Sequence, residues 1–386
     1  MSSSEMTTTM THRARRSMGI RLAGTLALVG LVLAACVSVP EQPKTQRLVW
    51  PAPPLTTRIE LVRSISSEKD INTDTTFSEK VVNFLAGVKP PPTHISQPMG
   101  IAVSDDGGRI YVANFTGSVF SFDFANQKFS KIESLDRPIG LDLDGFGNLY
   151  VVEQAKKRVV VYDPNGIQLR SFTDPSIERP AGIAIDRARG RLYLIDTGRS
   201  EPTSEIQQGH NIKVFNTNGE LIGKIGKGKG GAEGELLFPT YVTVDREGNV
   251  YVADTLNSRV QVFDAEGNYL KKYGERGDAW GMFDKPKGVA LDSFGNLYVV
   301  DSGWSNVQLF NSEGQILLFF GGFGPIPGMM KNPTAIDIDA HDRIYVADFI
   351  NHRINIYRLV NTTAEDSFSV PEDVLDSEEI LEKIEG

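Results

Sequence analysis

The stretch Pro239–Asp264, PTYVTVDREGNVYVADTLNSRVQVFD, decides how the rest of the chain is read. Tyr241–Val244 is a β-branched run, and Asp245–Asn249 is a turn in which Gly248 supplies a positive φ. Val250–Ala253 reads as a second strand, and the polar turn Thr255–Ser258 leads into Arg259–Phe263, which alternates with period two. A fourth strand is expected at Asn268–Tyr273. A four-stranded antiparallel meander cannot bury both of its faces alone, so it needs neighbours.

The same grammar returns five more times, opening at Pro98, Pro138, Pro180, Pro286 and Pro333. Successive starts lie 40, 42, 59, 47 and 47 residues apart, the spacing of propeller blades rather than of helical repeats. We therefore expect an all-β chain, a six-bladed β-propeller of four-stranded antiparallel blades over 58–358, with blades starting near 98, 138, 180, 239, 286 and 333. Blades one to five each have an outer strand after their third, but blade six stops at Tyr357-Arg358. The isolated strand Arg58–Ile65, RIELVRSI, is expected to supply the missing outer strand and close the ring. Residues 66–97 are an insertion, with a short helix expected over Ser78–Ala86, and a second insertion falls in the polar loop 197–210.

These units resemble NHL repeats, with Asn257–Arg259 (NSR) and Asn351–Arg353 (NHR) in the family's typical place. The resemblance covers roughly Arg58–Arg358. In eukaryotic regulators it extends to RNA binding through a basic face. Here the net charge of −9 and the acidic tail 359–386 argue against nucleic acid, because phosphate neutralisation requires clustered Lys and Arg.

The N-terminal segment reads as processing signal, not fold. Arg13, Arg15, Arg16 and Arg21 precede an apolar run too short to span a bilayer comfortably, ending in Leu33-Ala34-Ala35-Cys36. That ending resembles a bacterial lipobox, which implies removal of 1–35, lipidation of Cys36 and a membrane attachment through the lipid. Val37 after it resembles lipoproteins sorted to the outer membrane. Cys36 is the only cysteine, so no disulfide forms within the chain. Residues 36–57, rich in Pro and Thr, are expected to be an extended tether.

Candidate chemistry is sparse. Asp196, Asp254, Asp301 and Asp348 end second strands, with Glu153 and Asn114 at the equivalent positions. The pairs Glu153–Arg158, Asp254–Arg259 and Asp348–Arg353 share a spacing of five, which faces them across a hairpin turn. A role repeated in nearly every blade is structural; a catalytic group in a ring of repeats should break the repeat. Gly100, Gly140, Gly182 and Gly288, third in each P-x-G, are expected where first strands crowd the axis.

Six-bladed enzymes of the gluconolactonase, paraoxonase and strictosidine-synthase types carry a cation or a catalytic residue at the tunnel mouth, and the NHL-like peptidylglycine lyases use several His on innermost strands. Here His94, His210, His341 and His352 all lie outside the innermost strands, so we assign no metal, no cofactor and no catalytic residue. The remaining candidate is a partner-binding rim of Phe115, Arg199, His210, Trp280, Trp304, Phe323, Phe349 and His352. The expectation is a monomeric, non-enzymatic binding or assembly scaffold in the cell envelope, with an envelope protein as partner. The alternatives are a tunnel-mouth hydrolase or lyase, and a ligand or polysaccharide sensor.

Overall fold

Ile59 sits opposite Leu359 and Ile65 opposite Ile354, so the start of the domain pairs antiparallel with its last repeat strand. This register, in the computed structural model, closes a six-bladed β-propeller. The structure describes residues 48–71, 92–198 and 209–361. Cys36 and its signal segment, the helix expected at 78–86, Arg199 and the acidic tail beyond 361 lie outside the described residues.

Five blades are four-stranded antiparallel meanders in chain order. The blade read first consists of Pro239–Val244, Val250–Asp254, Arg259–Phe263 and Tyr269–Tyr273. The first strands of the other blades are Pro98–Val103, Pro138–Leu143, Pro180–Asp186, Pro286–Leu291 and Pro333–Ile338. Each first strand packs against the next around the axis, and that of blade six against that of blade one. Second and third strands carry continuous apolar runs such as Leu149–Glu153 and Arg158–Tyr162 because both of their faces are covered by neighbouring blades. Outer strands alternate instead, since one face meets water.

In blade six the third strand is Arg353–Leu359 and the outer strand is Ile59–Ile65. Ile59 and Ile65 are fully buried, and the Arg358 guanidinium donates to the Glu60 carboxylate across the seam. Blade six is five-stranded: Val49–Trp50 pairs with Ile59 and Glu60. The end of the segment expected as an extended tether is thus a hairpin edge, because Trp50 finds an apolar seat against Phe320 and Tyr357. The neck of the 66–97 insertion is also pinned: Ser67 bridges His94, and Ile71 and Ile95 are buried beside blade one.

The ring has two faces. Turns between second and third strands and the links between blades share one, the link face. Turns between first and second strands share the other, the turn face.

Candidate functional site

The axis is the place to look for side chains that break the repeat. A Cβ at Gly100 would lie 2.2 Å from the Ile139 carbonyl oxygen, and one at Gly140 would lie 2.3 Å from that of Ala181. Only glycine lets neighbouring first strands approach so closely. Blade six has Ala335 at this position, and blade four has Tyr241. The Tyr241 side chain crosses the axis, and its hydroxyl donates a hydrogen bond to the Met99 carbonyl oxygen of blade one, directly opposite in a six-membered ring. Burial pushes its phenol pKa up, so the plug is neutral.

Below the plug, toward the turn face, two further positions break the repeat. Asp142 and Asp337 stand where other first strands carry Ala or Thr. The Ile185 amide donates to Asp142 Oδ2 at 2.6 Å, and the Val103 amide donates to Asp337 Oδ2 at 2.7 Å; each carboxyl ties its strand to that of the following blade. Burial raises Asp142 to about 6. Burial, with Asp142 adding to it, raises Asp337 to about 8. Further toward the turn face, Arg187 reaches across blade two and binds Asp105 at 2.7 and 2.8 Å, while its Nε donates to the Leu143 carbonyl. These half-buried acids can hold or release a proton near neutrality, the electrostatic profile that general acid–base groups share. The sequence reading passed over Tyr241, Asp142 and Asp337; aligning the six first strands and asking which residues depart from the consensus is the signal that finds them.

The repeated pairs have a different job. Arg259 Nε donates to Asp254 at 2.8 Å, Arg353 Nε to Asp348 at 3.1 Å, and Arg158 to Glu153, and all three carboxylates are fully buried. Each acid also caps the incoming link: Asp254 accepts from the Leu237 amide, Asp348 from Lys331 and Glu153 from Asp136. The arginines then hold the folded links, Arg259 through the Ala232 and Glu235 carbonyls and Arg353 through those of Pro325, Ile326 and Met329. Burial raises the Asp254 and Asp348 carboxyls; at Glu153 it is outweighed by Lys156 and Arg158, and the pKa falls. These pairs are girders under the links that lead into blades two, four and six.

Of the rim residues, Trp280 and Phe323 are 73% exposed, Trp304 and Phe115 are exposed and Phe349 is half-buried. The structure does not gather them into one cluster. Trp280 lies edge-on to Phe319 of the blade-five outer strand and walls a cavity of about 330 Å³ with Glu275, Met282, Phe310 and Ile316. Phe323 carries the Lys331 ammonium over its ring at 5.5 Å, and Phe115 lies under Arg137. The two histidines act as inter-blade struts: His210 Nδ1 accepts from the Phe238 amide at 3.1 Å, and His352 Nδ1 accepts from the Gln97 amide at 3.0 Å. His210 is buried, which removes it from any contact surface. The glycine-rich links end in buried apolar residues, Leu236, Phe283 and Met330, set by the matching parallel bridges Lys229–Leu236, Arg276–Phe283 and Phe323–Met330. Among the described residues no group of three or more His, Cys, Asp or Glu is placed to hold a metal ion.

Residues 236–263 match the NHL repeat family. The chain is 40% identical over 70 residues to protein lin-41 of Caenorhabditis elegans, covering 18% of this chain and 6% of that one. It is 28% identical over 142 residues to protein brain tumor of Drosophila melanogaster, covering 36% of this chain and 12% of that one. The chain therefore matches only a small part of either relative. Among solved structures, a protein of unknown function from Bacteroides thetaiotaomicron superposes with a TM-score of 0.57 at 16% identity, covering 69% of this chain and 70% of that one. A streptogramin B lyase structure superposes with a TM-score of 0.51 at 14% identity, covering 69% and 94%. These likenesses establish the propeller fold.

Proposed function

We infer that this chain, a six-bladed β-propeller carrying an NHL repeat, is a non-enzymatic binding platform of the cell envelope, anchored by a lipid on Cys36. The observation that carries the reading is a set of six exposed large apolar side chains, set apart from one another, on the link-face loops of three successive blades. Leu256, Trp280, Trp304, Phe323, Ile326 and Ile350 all belong to links or turns of blades four to six. The Asp254–Arg259 and Asp348–Arg353 pairs brace the loops of Leu256, Phe323, Ile326 and Ile350, and hydrogen bonds to Gln308 and Asp301 brace those of Trp280 and Trp304, so the apolar groups are presented on a rigid frame. Rigid exposed aromatics lose little entropy on docking and are the residues on which protein contacts concentrate. Tyr241 blocks the axis, which favours recognition on the surface over passage through a channel.

Crosslinking of the full-length chain in envelope fractions tests this. The triple variant Trp280→Ala/Trp304→Ala/Phe323→Ala is expected to lose the crosslinked partner band that wild type gives, and Phe146→Ala, an exposed aromatic on the turn face, to keep it. An unchanged band in the triple variant overturns the platform. Cys36→Ser is expected to release the chain from the membrane fraction.

A second reading, an enzyme, rests on Asp142 and Asp337, half-buried on the turn-face side of the plug and close enough for Asp142 to raise Asp337, with pKa values raised toward neutrality. It draws on a fold that, in the streptogramin B lyase structure, belongs to a lyase.

A further inference from the structure

Lys287 is the fourth first-strand residue that breaks the repeat. It follows the opening proline, where the other blades carry Met99, Ile139, Ala181, Thr240 and Thr334. All five are uncharged, and three are buried. Lys287 is half-buried at the link-face mouth of the axis, one residue before the level that Tyr241 seals. Lys287 and Asn332 thus stand together on the link-face side of the level that Tyr241 seals.

That ammonium is under-coordinated. Of its three N–H donors, one is taken by Asn332 Oδ1 of blade six at 3.2 Å, and Lys287 makes no ion pair among the described residues. The carboxylate whose charge acts on Lys287, Asp301, already accepts from the Asp284, Lys285, Gly303 and Trp304 amides. Three more cations, Arg137, Arg179 and Lys285, occupy the position just before the opening proline in blades two, three and five, and all three are exposed. Burial, with Lys285 adding to it, lowers the Lys287 pKa and outweighs the opposing pull of Asp301.

We propose that the link-face mouth of the axis is an anion-binding cup, in which the Lys287 ammonium and Asn332 seat a small carboxylate or phosphate group. The ligand oxygens accept the two remaining Lys287 donors, and Arg137, Arg179 and Lys285 draw the anion to the mouth. The cup needs neither the aromatic sector nor a protein partner.

Reductive dimethylation of the full-length chain, read residue by residue by mass spectrometry, tests it with about 10 mM inorganic phosphate, acetate or chloride at matched ionic strength. Phosphate or acetate is expected to slow labelling of Lys287 about fivefold relative to chloride while exposed Lys128 on the blade-one outer strand is unaffected. Protection by phosphate alone assigns a phosphate ligand, and protection by acetate alone assigns a carboxylate. Equal labelling of Lys287 in all three salts overturns the cup. In a parallel melt, the protecting anion raises the Tm of wild type, and Lys287→Met, which keeps the aliphatic stem, abolishes that rise; a rise retained in the variant also overturns it.

Discussion

Tyr241 of blade four and Met99 of blade one are joined by a hydrogen bond across the propeller axis, hydroxyl to backbone carbonyl. The bond links opposite walls of the ring, and the ring of Tyr241 packs between apolar clusters from both sides. Tyr241→Phe keeps the packing and loses the bond, so it is expected to cost about 1 kcal/mol. Tyr241→Ala also empties the axis and is expected to cost about 3–5 kcal/mol. Chemical denaturation gives both values, and amide exchange of the first strands should quicken only in the alanine variant. A neutral Tyr241→Ala would show that the plug bears no structural load.

Close approach of first strands gives a second test. Gly140→Ala drives a Cβ to within 2.3 Å of a backbone oxygen, which cannot swing away as a side chain would. Gly223, on the outer strand of blade three, has nothing within 4 Å of its Cβ position. We expect Gly140→Ala to destabilise by about 2 kcal/mol or more, and Gly223→Ala to be neutral or to stabilise by a few tenths to about 1 kcal/mol. Melting temperatures compare the two directly, and equal effects would contradict the crowded axis.

The seam of the ring supplies the third. Ile59 and Ile65 are fully buried in the strand contributed by the start of the domain. Ile59→Ala is expected to cost about 2–5 kcal/mol, as in any packed core. Removal of 58–65 leaves Ile354, Ile356 and Tyr357 uncovered and is expected to give insoluble protein. A deletion variant that melts within a few degrees of the parent would refute a ring closed in this way.

The fold was legible in the sequence because it is written six times. Proline-led β-branched runs at blade spacing, and a last repeat without its outer strand, left Arg58–Ile65 as the natural partner. Trp50 escaped this logic: proline-rich composition spoke for a tether, while its seat on Phe320 and Tyr357 exists only after the ring has closed. The axial residues were visible but unread. Tyr241, Lys287, Asp142 and Asp337 are ordinary residues in ordinary strands, and they stand out only when six first strands are compared position by position. His210 misled for the opposite reason. A histidine in a polar loop reads as exposed, yet it adopts a left-handed backbone (φ 59°) that turns its ring inward against Phe238.

Asp337 makes stability depend on pH in an unusual direction. Its carboxyl is raised to about 8 by burial and by Asp142, which is itself raised to about 6. In the unfolded chain both titrate near 3.9, so above that pH the native state holds more protons than the unfolded state. Stability then falls as pH rises: Asp142, Asp337 and Asp292, itself raised to about 6, contribute to the fall up to pH 6, and Asp337 carries it on between about 6 and 8. The slope per retained proton is about 1.4 kcal/mol per pH unit. Acids whose native pKa is lowered, such as Asp123 and Asp174, act the other way but complete their change at lower pH. Chemical denaturation at pH 6, 7, 8 and 9 is therefore expected to show declining stability that levels off above 8. Asp337→Asn retains an oxygen to accept an amide, carries no charge and is expected to flatten the decline between 6 and 8 whatever its effect on absolute stability. A wild-type curve level over that interval would mean that the axis is wet enough to keep Asp337 ionised.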